Sequence, residues 1–91
     1  MNSPMLQTNE SQDSRLRARA ARVIPGGMWG HQRAEALPKG YPQFFASGKG
    51  ARVTDVDGRE YIDFMCAWGP IILGHQHEGV EAAAAAQASA G

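Results

Sequence analysis

One cysteine, no net charge and no long apolar run mark the 91-residue sequence at first reading. A single thiol, Cys66, cannot close an internal disulfide, and its neighbours Phe64, Met65 and Trp68 predict a buried side chain. That pattern suits a reducing compartment and gives a cytoplasmic expectation. Nine Lys and Arg balance nine Asp and Glu, so no overall field draws the chain to nucleic acid or to an anionic membrane. No apolar stretch approaches the ~20 residues needed to cross a bilayer. Residues 1–10 lack a basic start followed by an apolar run, which argues against a secretory signal. There is no Walker-type phosphate loop and no internal repeat. Gly48-Lys49-Gly50 precedes a strand, whereas a dinucleotide fingerprint sits between a strand and a helix.

The material for a core is also thin. Of the 43% hydrophobic residues, fifteen are Ala, which removes little side-chain surface from water. A chain this short buries only about two thirds of its extended surface in any case. One domain, or part of one, is the upper bound. Glycine and proline are plentiful by contrast, at 11 and 5 residues, and cluster between Pro25 and Gly74.

Residues 1–12 read as a disordered tail, being polar and without period. Asp13 is the expected N-cap of a helix over Ser14–Ile24, with Leu16, Ala20 and Val23 on one face and Pro25-Gly26-Gly27 as its stop. Arg15, Arg17, Arg19 and Arg22 read as a solvated face rather than a nucleic-acid arm, since no aromatic is interleaved to stack on bases. Residues 25–50 hold too many breakers for a long element and form an extended, turning segment, with Tyr41, Phe44 and Phe45 as anchors to a neighbouring surface.

Two β-prone runs flank Asp57-Gly58 and predict a hairpin over Ala51–Phe64. A two-residue loop sets Val53 opposite Ile62, Ala51 opposite Phe64, Arg52 opposite Asp63 and Thr54 opposite Tyr61. It also sets Asp55 against Glu60, a like-charge pair, so a three-residue loop with a bulge stays open. Asp55, Asp57 and Gly58 lack the further oxygen ligands of a calcium loop. The apolar run Cys66–Gly74 is expected to be buried against something large that need not be part of this chain. His75 and His77 have no third ligand nearby and read as loop or helix-cap residues, not a metal pair. Glu78–Ala90 predicts a helix, with Glu78 and Glu81 in its first turn and five consecutive Ala behind them.

Catalytic machinery is missing from these residues. Ser14 and Ser47 lack the frame of an activated nucleophile, and His31 has no visible carboxylate to orient it. Composition and pattern by themselves indicate a small α+β piece: an N-terminal helix, a turn-rich segment, a β-hairpin and a C-terminal helix.

Seven strings, in order, carry a resemblance. They are Val23-Ile24-Pro25-Gly26-Gly27, Pro42-Gln43-Phe44-Phe45, Gly50-Ala51-Arg52-Val53, Asp55-Val56-Asp57-Gly58, Tyr61-Ile62-Asp63, Trp68-Gly69-Pro70 and Leu73-Gly74-His75. Across residues 15–91 the chain resembles the start of class III pyridoxal-phosphate aminotransferases, and among them the branch that includes glutamate-1-semialdehyde aminomutase. The resemblance implies a dimeric fold-type I enzyme of several times this length, with a large α/β domain holding pyridoxal 5'-phosphate and a smaller α+β domain. Residues 13–91 then supply the N-terminal part of the small domain and the lead into the large one. The implied reaction moves an amino group between a small-molecule donor and acceptor through a lysine Schiff base on the cofactor. Lys39 and Lys49 match N-terminal loops of the family, so the Schiff-base lysine, the phosphate-binding residues and the aspartate at the ring nitrogen are expected outside this chain.

Two substrate-binding positions follow from the resemblance. Arg33 falls where the aminomutase branch has an arginine that meets the substrate carboxylate. Trp68 matches a tryptophan lining the substrate pocket. Surface charge and plain core are the competing readings of these two residues. Met28, Trp29, Gly30, His31 and Gln32 depart from the aminomutase pattern and favour an aminotransferase for another amine or amino acid. A stand-alone interaction module and an inactive remnant are the alternatives of a different class.

Overall fold

The computed structural model describes residues 10–91, and most of the expected tail lies outside them. Helix α1 spans Gln12–Val23, starting one position before the expected cap. Ser11 is the N-cap: its Oγ accepts from the Ser14 amide at 3.0 Å. Asp13 instead sits in the first turn, where its carboxylate serves the following segment. The helix stops at Ile24, which is extended, and Pro25–Gly27 forms a single 3-10 turn. Gly26 and Gly27 adopt φ of 71° and 74°, which side-chain-bearing residues rarely take.

The expected hairpin is part of a three-stranded antiparallel sheet in the order β1-β2-β3, with β1 Phe45–Lys49, β2 Arg52–Asp55 and β3 Glu60–Ile62. Strand β1 lies within the segment read as irregular. Its pairing with β2 (Ser47 to Thr54, Gly48 to Val53, Lys49 to Arg52) supplies the order that Ser47, Gly48 and Gly50 do not promise locally, and a bulge falls between Phe45 and Ser47.

The register between β2 and β3 differs by one from the two-residue-loop expectation. Arg52 pairs with Ile62, Val53 with Tyr61 and Thr54 with Glu60. The cause is Asp55, whose Oδ1 accepts from the amides of Asp57 at 2.9 Å and Arg59 at 2.8 Å. The Asp55 amide donates to the Arg59 carbonyl at 2.8 Å, closing a three-residue loop in which Gly58 has φ of 92°. A slip of one exchanges the faces. Ile62 therefore joins Arg52, Thr54 and Glu60 on the polar side and is 51% exposed. Val53 and Tyr61 share the other side, where Phe45 meets Tyr61 edge-on at 6.1 Å between ring centroids.

Carboxylates tie these elements together. Asp57 accepts from the Gln12 and Asp13 amides at 2.8 and 3.2 Å, so the hairpin loop satisfies two of the orphan donors at the start of α1. Asp13 accepts from the Gln43 and Phe44 amides at 2.9 and 2.8 Å and from Arg17 Nε at 2.7 Å. Arg17 also donates to the Tyr41 carbonyl. This arginine of the expected solvated face is thus half-buried and structural. Among the described residues the buried apolar side chain is Ala20, and the buried charged one is Asp55.

After β3, Cys66–Trp68 forms a short turn, and Gly50 and His75 exchange a pair of backbone hydrogen bonds at 2.9 Å. Helix α2 spans Glu78–Ala90 as expected, with His77 as N-cap accepting from the Val80 amide at 3.3 Å. The run expected to be buried is open here: Trp68, Ile72 and Leu73 are exposed, and Cys66 is only half-buried.

Candidate functional site

Trp68 stands on an unusual piece of backbone. Cys66, Ala67 and Trp68 have φ of 53°, 51° and 68°, three successive left-handed residues, none of them glycine. Such conformations cost of order 1–3 kcal/mol each and persist only where surrounding contacts impose them. The contacts are present. Asp63 Oδ1 accepts from the Met65 and Cys66 amides at 2.9 and 3.1 Å, fixing the entry to the turn. The Trp68 amide donates to the Met65 carbonyl at 2.9 Å, and the Gly69 and Ile71 amides both reach the Cys66 carbonyl, at 2.9 and 3.0 Å. The indole Nε1 donates to Met65 Sδ at 2.8 Å.

The second Asp63 oxygen lies 2.7 Å from His75 Nε2. The hydrogen bond from His75, followed by those from the Cys66 and Met65 amides, holds the Asp63 carboxyl below the usual carboxylate range. An ionised carboxylate only accepts, so His75 Nε2 carries the proton. The Asp55 carboxyl is lowered in the same way, first by the Tyr61 hydroxyl at 2.7 Å and then by the Arg59 and Asp57 amides, while Tyr61 is raised by that same bond.

The segment holding Arg33 comes to this turn through His31. The His31 and Trp68 rings meet edge to face, with centroids 6.5 Å apart and planes at 72°. Arg33 is exposed, and its stem lies over Gly26, where an added Cβ would fall 3.4 Å from Arg33 Cγ. Among the described residues no carboxylate lies within salt-bridge distance of Arg33. Trp68 is 63% exposed, which removes the plain-core reading within this chain. Sequence reasoning placed Asp63 opposite Arg52 in the hairpin and gave neither it nor His31 a role at this turn. The signal for Asp63 was available, because an aspartate two and three residues ahead of a turn's amides is a recognised turn former. For His31 there was none, since its partner is 37 positions away.

These residues do not make a seat for a phosphorylated pyridine aldehyde. Lys39 and Lys49 are both exposed, whereas an imine-forming amine is activated by desolvation or by a neighbouring cation. Among the described residues the one buried side-chain polar atom without a partner is Gln43 Oε1, an acceptor that cannot hold a phosphate. No group of three His, Cys, Asp or Glu among them is placed to hold a metal ion. No described helix is long and apolar enough to cross a membrane.

Comparison with known proteins places this arrangement. The family of class-III aminotransferases matches residues 36–91. The chain is 52% identical over 79 residues to aminopentol aminotransferase of Sphingopyxis macrogoltabida, covering 87% of this chain and 19% of that one. It is 50% identical over 70 residues to glutamate-1-semialdehyde 2,1-aminomutase of Acetivibrio thermocellus, covering 77% and 16%. The FumI protein of Sphingopyxis sp. MTA144, solved in its PLP internal aldimine form, superposes with a TM-score of 0.75 at 52% identity, over 87% of this chain and 19% of that one. The chain thus spans about a fifth of the length of the relatives it matches. The chain belongs to the class-III aminotransferase family.

Proposed function

We propose that this chain is the N-terminal segment of a pyridoxal-phosphate-dependent aminotransferase, which moves an amino group between an amine or amino acid and a keto acid or aldehyde. The observation that carries the reading is the 52% identity with an aminopentol aminotransferase over 87% of the chain. The proposed whole enzyme is a cytoplasmic homodimer of fold-type I, with the cofactor seat in a large α/β domain and residues 13–91 in the small domain and the lead into the large one. The role left to this segment is to shape the substrate side of the site. Arg33 offers a planar fork suited to a carboxylate. Trp68 offers an exposed apolar wall on a backbone held rigid by Asp63.

A glutamate-1-semialdehyde aminomutase is the second reading, favoured by the 50% identity with the Acetivibrio thermocellus enzyme. The Met28-Trp29-Gly30-His31-Gln32 string, where that branch carries an Asn-Ser-Pro string, supports the aminotransferase. Assaying the full-length enzyme with glutamate-1-semialdehyde and with a panel of amine donors, each paired with pyruvate, separates the two. Turnover of the semialdehyde alone overturns the aminotransferase reading. In the same enzyme Arg33→Ala is expected to reduce kcat/KM by about 2–4 kcal/mol equivalent for a carboxylate-bearing substrate in a desolvated site. An unchanged rate returns Arg33 to the solvent. The 91-residue chain mixed with pyridoxal phosphate is expected to show no band near about 420 nm after gel filtration, whereas a stable yellow peak relocates the cofactor lysine to Lys39 or Lys49.

A further inference from the structure

The reading of Trp68 as a substrate wall leaves open what keeps it in place, and on that reading the geometry points to His75 and Asp63 as a pair of positioning residues for Trp68. An unbroken line of contacts runs from the sheet to the indole. His75 is fixed to the end of β1 by its two backbone hydrogen bonds with Gly50. Its ring lies on Gly48, where an added Cβ would fall 2.8 Å from His75 Cγ, closer than such contacts occur. Strand β1 thus makes room for the imidazole by carrying no side chain at that point.

From there His75 Nε2 donates to Asp63 Oδ2 at 2.7 Å, and Asp63 Oδ1 takes the Met65 and Cys66 amides. Met65 then holds Trp68 twice, through its carbonyl to the backbone and through its sulfur to the indole. Both oxygens of one carboxylate are engaged, one towards the frame and one towards the strained turn. Charge-assisted bonds of this kind are short and directional, and suit the fixing of a geometry that the chain would not otherwise adopt. Neither residue is hydrogen-bonded to Trp68 itself. Their influence on a substrate runs through the turn.

The test is a double-mutant cycle in the full-length enzyme, read as kcat and KM for one bulky and one small amine donor. Trp68→Ala is expected to lower kcat/KM for the bulky donor about tenfold or more. His75→Ala is expected to produce the same pattern, with the loss concentrated in the bulky donor and hydrogen exchange accelerated at Met65 and Cys66. The His75→Ala and Trp68→Ala pair is expected to be no worse than Trp68→Ala alone, because the first change acts only through the second residue. His75→Gln, which keeps an N–H donor on a side chain of similar reach, is expected to restore most of the loss.

If His75→Ala fails to accumulate, Asp63→Asn takes its place in the cycle. Its amide keeps an acceptor for the Met65 and Cys66 amides while weakening the bond to His75. Additive losses, or equal losses for both donors, overturn the positioning role and leave the Trp68 reading standing. A Trp68→Ala enzyme with unchanged constants overturns the Trp68 reading itself, and the positioning role falls with it.

Discussion

The hairpin loop and the run after β3 are each turned by an aspartate that accepts two backbone amides, yet the two regions end in opposite states. Asp55 is 3% exposed, and its loop reaches α1 through Asp57, so polar groups from three parts of the chain satisfy one another. Asp63 turns a run whose side chains face outward, with Phe64 90%, Ile72 80% and Trp68 63% exposed. The difference is one of range. A hydrogen bond is complete once a single partner arrives, whereas an apolar side chain is worth its buried area, about 1.5–3 kcal/mol each. Phe64, Met65, Trp68, Ile72 and Leu73 together forgo on the order of 10 kcal/mol in water, comparable with the whole stability of a domain. Among the described residues local polar order is present, and the apolar burial that would stabilise it is not.

The most direct way to break that contrast is to melt the chain. Ordering costs roughly 1.5 kcal/mol per residue, and a core represented by Ala20 does not offset it. The isolated 91-residue chain is therefore expected to show no cooperative thermal transition by circular dichroism. A sharp melt from a monomer refutes the contrast.

The remaining predictions apply to the full-length enzyme. Asp13→Ala removes the acceptor for two amides and one guanidinium, at a cost of about 3 kcal/mol in denaturant midpoint analysis. A loss below the scatter of the measurement shows that the polar hub is ornamental. Gly48→Ala forces a Cβ onto the His75 ring and is expected to destabilise by about 1–3 kcal/mol. Its crystal structure would show His75 displaced, and an unmoved ring contradicts the packing described.

Acid sharpens the contrast further. Burial raises the Asp13 carboxyl, but the Phe44 and Gln43 amides and Arg17 outweigh it, so the net direction is down, as it is for Asp55 and Asp63. Groups lowered on folding contribute their full stability above their unfolded value, near about 4, and lose it as pH falls through the folded one. Stability from this hub is thus expected to be flat through neutral pH and to drop below about pH 4, in a titration followed by tryptophan fluorescence. Stability unchanged between about pH 7 and pH 3 contradicts this assignment.

How much of this was readable depended on how far apart the causes lie. Helix α2 follows from its own residues, and the cap of α1 was misplaced by two residues because Ser11 and Asp13 both suit that position. Whether Ser11 takes it depends in part on Asp57, 45 residues from Gln12. The hairpin was found from Asp57-Gly58, but its register turned on which way the Asp55 side chain points, and only the three-residue alternative contained the answer. Strand β1 was invisible because a partner strand, not its own composition, orders it. Trp68 was singled out through a resemblance alone, while its left-handed backbone belongs to no residue type in that turn and accompanies the hydrogen bonds of the Met65 and Cys66 amides to Asp63.

The seating of Asp57 against the first amides of α1 carries a practical consequence for anyone handling the protein. Trimming the chain back to Ser14 strips the carboxylate of both its donors and the helix of its cap, so an edit at one end would loosen a hairpin more than forty residues downstream.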